Sequence, residues 1–139
     1  MYKVLIADDS EVMRTAIRKM LQEESSIDVV GEASSFADTM QKIADLKPDV
    51  LLLDLHMPEK LDYTPALVKS QLGTVCTVAV SFSNDTDSKA LAERYGAVTL
   101  LDKMKLYNEM VPAILRCESR ESDIGSLLRK TFKRKAHAA

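Results

Sequence analysis

The chain has 139 residues, 46% of them hydrophobic and 29% charged, with a formal net charge of -2. That is the size of one domain with enough core to be stable without staples, in an ordinary globular mix. The longest apolar runs are a few residues, too short to cross a bilayer, and the small net negative charge gives no general attraction to nucleic acid. Charge is unevenly placed. From Ser119 onward six Lys/Arg stand against two Asp/Glu, a surplus of four positive charges, whereas the preceding 118 residues hold thirteen basic and nineteen acidic groups, or -6. The composition shift near Ser119 divides the chain into a compact domain over 1–118 and a basic tail over 119–139.

In chain order, Lys3 to Ala7 is a β-rich run that ends in Asp8-Asp9. The chain enters this strand directly from Met1, leaving no room for a signal peptide, so a cytoplasmic location is expected. Ser10 is a suitable N-cap, and Val12, Met13, Ala16, Ile17, Met20 and Leu21 recur at helical spacing to about Glu24. Ile27 to Glu32 reads as a second strand. Phe36, Met40, Ile43, Ala44 and Leu46 mark a second helix, which Pro48 stops. Val50 to Leu53 is an unbroken apolar run ending on Asp54, the pattern of a strand buried on both faces. Pro58 ends any regular element after it. A third helix is expected over about Thr64 to Leu72 and a fourth strand over Val75 to Val80, ending at Ser81-Phe82-Ser83. Asn84 or Asp85 can cap a fourth helix bearing Ala90, Leu91 and Tyr95, with Gly96 as its C-cap. Ala97 to Leu101 is a fifth strand leading to Asp102-Lys103. Met110 to Leu115 lies in a fifth helix, with Pro112 in its first turn. Cys76 and Cys117 lie in apolar patterns and read as buried free thiols in a reducing compartment.

Five strands alternating with five helices predict an α/β domain, a doubly wound parallel sheet. For this length the flavodoxin-like order 2-1-3-4-5 is the simplest. In such a sheet all strand tips lie on one edge. Tips one and three carry Asp8, Asp9 and Asp54; tips four and five carry Ser81 and Lys103. Three carboxylates at one place repel and raise one another's pKa unless a cation joins them. A hard, oxygen-seeking divalent ion is the natural one. Mg2+ suits a few carboxylates, a carbonyl and waters, and zinc is disfavoured with only His56 nearby. One metal, one amine and one hydroxyl around a carboxylate suit phosphoryl transfer, with Asp54 as the in-line nucleophile. Taken singly, the acid pair is a helix-capping feature, Ser81 a strand-end hydroxyl, Lys103 a solvated lysine and His56 a loop side chain. The specificity lies in their joint placement on tips one, three, four and five.

These residues, in Asp8-Asp9, in Leu53-Asp54-Leu55-His56-Met57-Pro58, at Ser81 and at Lys103, make residues 3–117 resemble the receiver domain of two-component response regulators. Val29-Val30-Gly31-Glu32-Ala33 is similar to receivers of the subfamily with a helix-turn-helix output. The resemblance implies that Asp54 accepts a phosphoryl group from a histidine kinase or histidine phosphotransferase protein. It implies that Asp9 and Asp54 ligate Mg2+ directly with the backbone carbonyl of His56, Asp8 acting through water. Ser81 would bond the phosphoryl group and Lys103 would pair with it. Signalling to an unknown downstream protein would pass through helix four, strand five and helix five; whether the chain forms a homodimer through helices four and five is left open by the sequence. The chain is expected to be a stand-alone receiver, not an enzyme beyond its own phosphorylation and dephosphorylation.

Four positions depart from that pattern. Phe82 follows the strand-four hydroxyl where a small residue is usual. Leu100 replaces an aromatic three residues before the lysine, Met104 replaces the proline after it, and Glu59-Lys60-Leu61-Asp62 lacks the usual glycine. They keep open a second reading, a degenerate receiver serving as a phosphorylation-independent binding module. An aspartyl phosphatase would want a second Asp where His56 stands, and a flavin-binding loop would not open on two aspartates. In the tail, Ile124, Leu127, Leu128 and Phe132 fall near one helical face among basic residues. That is either a solvated extension or a docking helix for a protein, an anionic membrane or nucleic acid.

Overall fold

The computed structural model describes residues 1–58 and 62–117. The predicted basic tail from Ser119 and the loop residues 59–61 lie outside these. The elements run β1 (Tyr2–Ala7), α1 (Glu11–Gln22), β2 (Ile27–Ala33), α2 (Phe36–Leu46), β3 (Val50–Asp54), α3 (Pro65–Leu72), β4 (Cys76–Ser81), α4 (Thr86–Arg94), β5 (Thr99–Asp102), a 3-10 turn (Lys103–Lys105) and α5 (Leu106–Arg116). The strands form one parallel sheet in the order β2-β1-β3-β4-β5. This is the flavodoxin-like architecture that the alternating pattern predicts.

Helix starts follow the capping chemistry. Ser10, Ser35, Thr64 and Asp85 accept backbone N–H bonds from the first turns of α1, α2, α3 and α4. Asp85, not Asn84, is therefore the cap of α4. Past α4 the chain turns at Gly96, whose φ of 82° is a left-handed conformation that glycine adopts without a Cβ penalty. The residue before it, Tyr95, is the C-cap.

β3 is buried over its whole length between β1 and β4. Strand alternation sends its side chains to two separate cores. Val50 and Leu52 join Val4, Ile6, Val78 and Val80 under α1 and α5. Leu51 and Leu53 join Leu5, Ala7 and Ala79 under α2, α3 and α4, with Phe36, Val68 and Tyr95. Each buried Leu or Val contributes ~1.5–3 kcal/mol relative to exposure. The central strand is thus held rigidly, and so is the aspartate that ends it.

Several expectations need correction. β5 begins at Thr99, not Ala97, and α5 begins at Leu106. Pro112 consequently lies inside α5 instead of in its first turn. It is tolerated because Pro112 and Asn108, whose carbonyl loses its partner four residues on, both face solvent. Val12 is exposed on α1, and α4 buries Ala92 where Ala90 was expected, because Ala90 faces outward. The cysteines are not free thiols. Cys76 and Cys117 form a disulfide with a Cα–Cα distance of 6.0 Å across a separation of 41 residues. α5 runs back from the end of β5, so its last turn arrives beside the start of β4. Chain topology, not spacing, makes the two meet.

Candidate functional site

The C-terminal tips of β1, β3, β4 and β5 converge on one edge of the sheet. Asp8 directly follows β1, and its backbone is held by a bond to Ala33 O and by the Arg14 guanidinium donating to its carbonyl, 2.7 Å away. Its carboxylate accepts from Ser10 N at 2.9 Å and is only 2% exposed as a residue. Asp9 beside it is exposed. Asp54 ends β3, is 3% exposed, and accepts a bond from His56 N at 3.0 Å. One carboxylate oxygen from each of Asp8, Asp9 and Asp54 lies within 4.8 Å of the others.

Lys103 enters this acid cluster from the end of β5. Its Nζ is 2.9 Å from Asp8 Oδ2 and 3.5 Å from Asp54 Oδ1, all three side chains being nearly inaccessible to water. Asp102 positions it by capping the 3-10 turn through Met104 N, at 2.8 Å. One ammonium among three carboxylates leaves a formal charge of -2. Burial, and after it the charge of Asp8, pushes the Asp54 carboxyl above the ordinary aspartate range, against the lowering effects of the His56 N–H and of Lys103.

Ser81 ends β4 and is fully buried. Its Oγ accepts from Ser83 N at 3.0 Å and lies 3.1 Å from His56 Nε2. Phe82, next in the chain, is 62% exposed, and its ring covers Lys103 with Nζ 4.9 Å from the centroid. The ring therefore sits at the rim of the site instead of packing into the core.

All the sequence-predicted side chains, Asp8, Asp9, Asp54, Ser81 and Lys103, lie on this edge. Two contacts were not foreseen. The His56 imidazole, read as a loop side chain, reaches the Ser81 hydroxyl, and the Phe82 ring stacks on the lysine. Neither has a linear signal, since the partners are 25 and 21 residues apart. The donor set consists of hard oxygens with residual negative charge, which fits a divalent hard cation such as Mg2+.

Comparison with known proteins points the same way. The family model described as the response regulator receiver domain matches residues 4–115. A protein-glutamate methylesterase/protein-glutamine glutaminase of Myxococcus xanthus is 36% identical over 103 residues, covering 73% of this chain and 30% of that protein. The response regulator GacA of Pseudomonas syringae is 34% identical over 116 residues, covering 82% of this chain and 54% of that protein. The chain thus spans about a third to a half of the curated relatives it matches. The signal receiver domain of NarL from Mycobacterium tuberculosis superposes with a TM-score of 0.73 at 30% identity, covering 82% of this chain and 93% of that one. The response regulator domain of Thermotoga maritima CheB has the same fold, with a TM-score of 0.73 at 23% identity over 84% of this chain and 96% of that one.

Proposed function

From the premise that this chain belongs to the response regulator receiver family, we propose that it is the phosphoacceptor of a two-component phosphorelay, taking the group on Asp54. The observation that carries this reading is a buried carboxylate with an ammonium 3.5 Å away, at the edge of a three-carboxylate cluster. Asp54 must be ionised to attack. Its raised pKa shows that the metal-free site disfavours the charged form, so a divalent cation would favour the nucleophile.

Asp8, Asp9 and Asp54, with the His56 backbone carbonyl, are the residues that would hold Mg2+. The ion would neutralise the two charges left over after Lys103 and screen the phosphoryl oxygens. An Asp54 carboxylate oxygen forms the new O–P bond while the P–N bond of a donor phosphohistidine, or the P–O bond of an acyl phosphate, breaks. The bonding pair leaves with the donor. Lys103 then pairs with the phosphoryl group, and the Ser81 hydroxyl bonds one of its oxygens. The donor would be a sensor histidine kinase or a histidine phosphotransferase protein. The output is carried by contact with a downstream protein, from the cytoplasmic compartment, through the face of α4, β5 and α5. The receiver is assigned to 1–118, with the basic segment 119–139 following it in the sequence.

One observation favours the second reading, a binding module that works without phosphorylation. The Phe82 ring lies over Lys103, the group that must meet the incoming phosphoryl oxygens. Incubation with Mg2+ and acetyl phosphate, followed by intact mass, separates the two. One added phosphoryl group that Asp54→Asn abolishes is expected; an equal gain in that variant would remove Asp54 from the role, and no gain in either would favour the binding module.

A further inference from the structure

His56 is exposed, yet its side chain folds back so that Nε2 lies 3.1 Å from Ser81 Oγ. The same oxygen accepts from Ser83 N at 3.0 Å. Ser83 Oγ in turn donates to Asp85 Oδ2 at 2.8 Å, and Asp85 caps α4 through Ser88 N, also at 2.8 Å. A continuous line of contacts therefore runs from the loop after β3, through one hydroxyl, to the start of α4.

We infer that His56 is a positioning residue that latches the Ser81 hydroxyl while Asp54 is unmodified, and that Ser81 must release His56 before it can bond a phosphoryl group on Asp54. The inference rests on the phosphoacceptor reading of Asp54. A hydroxyl has one proton and two lone pairs. The Ser83 N–H occupies one lone pair. If Nε2 accepts, it takes the only proton, the one a phosphoryl oxygen would need. If Nε2–H donates, it takes the second lone pair and tethers the oxygen at two points. Both tautomers oppose rotation of the side chain. The imidazole loses little on release, because it is exposed and water replaces its partner. The latch is thus a modest bias, worth about fivefold in an equilibrium constant for one neutral hydrogen bond. Because Ser83 N donates to the same oxygen and Ser83 Oγ donates to Asp85, movement of the Ser81 hydroxyl also loosens the loop that caps α4.

The test uses beryllium fluoride as a phosphoryl mimic at saturating Mg2+, with its apparent Kd measured on the full chain. His56→Leu should tighten binding about fivefold. His56→Gln, whose amide can reach the hydroxyl, should recover most of the wild-type value. In a Ser81→Ala background His56→Leu should have no effect, which a merely structural role of His56 would not reproduce. Thermal melts establish that each variant is folded. An unchanged or weakened Kd in His56→Leu, or the same shift in both backgrounds, overturns the latch while leaving the phosphoacceptor reading intact. Wild-type protein that binds no beryllium fluoride, or an Asp54→Asn variant that binds it as tightly as wild type, overturns that reading and the latch together.

Discussion

Opening the Cys76–Cys117 bond should cost the domain much of its stability. The bond closes a loop across 41 residues, from the first residue of β4 to the residue after α5. Chain entropy alone gives about 4 kcal/mol at 25 °C for a loop of that length, and measured disulfides commonly give ~2–4 kcal/mol. Unfolding entropy for a domain of this size is roughly 0.24 kcal/mol per kelvin, so Cys117→Ser should lower Tm by about 8–16 °C. The loss should be entropic in the main, because Cys117 is buried among α5 core residues and the hydroxyl of the serine can donate to Ala113 O, which lies 3.8 Å from the sulfur. Calorimetry on wild type with and without a dithiol reductant, and on Cys117→Ser, makes the comparison. Reduced wild type should melt with the variant, and alkylation of the unfolded, unreduced protein should add nothing to its mass. Two alkylated thiols in protein isolated without reductant, together with coincident melts, would refute the pairing. A reducing cytosol works against such a bond, so acid-quenched alkylation of whole cells tests the cytoplasmic assignment at the same time.

The Asp54 carboxyl is held above its ordinary range, chiefly by burial. A carboxyl raised in the folded state stabilises the fold when protonated and loses that contribution as pH rises through the folded pKa. Metal-free Asp54→Asn should therefore melt above wild type at pH 7, with the gap closing toward pH 4; a variant less stable at pH 7 would contradict the sign. Asp9→Ala removes an exposed member of the acid cluster. It should weaken Mg2+ binding in calorimetric titration without lowering the metal-free Tm, and a much lower Tm would mean a structural role. Phe82→Ala uncovers Lys103 and should speed both phosphorylation by acetyl phosphate and autodephosphorylation, since a ~1 Å hindrance to in-line approach can cost ~10²-fold. The ring is 62% exposed, so stability should change by no more than a surface contact's worth, about 0.5–1 kcal/mol. Unchanged rates with a large drop in Tm would make Phe82 a core residue after all.

The alternation of strands and helices, their order in the sheet and the residues at the strand tips were legible from sequence. Each depends on a short-range pattern: the unbroken apolar run of β3, the 3.6-residue spacing in α1 and α2, and the caps at Ser10 and Asp85. Right-handed crossovers then leave few ways to order five parallel strands, so the tips carrying Asp8, Asp54, Ser81 and Lys103 must share an edge. Helix and strand starts were less legible where local signals compete. At 97–105 an apolar run passes through Asp102 into Lys103-Met104-Lys105, and α5 starts with no side-chain cap, so β5 and α5 both began elsewhere than expected. What only the tertiary structure decided is which side chains touch. Cys76 meets Cys117 because α5 returns across the sheet, His56 meets Ser81 because β3 and β4 pair in register through Asp54 and Val80, and Phe82 meets Lys103 because β4 and β5 end together. Periodicity gives a residue's face within its own element, whereas a contact depends on how two elements pack, and that is set by both cores at once.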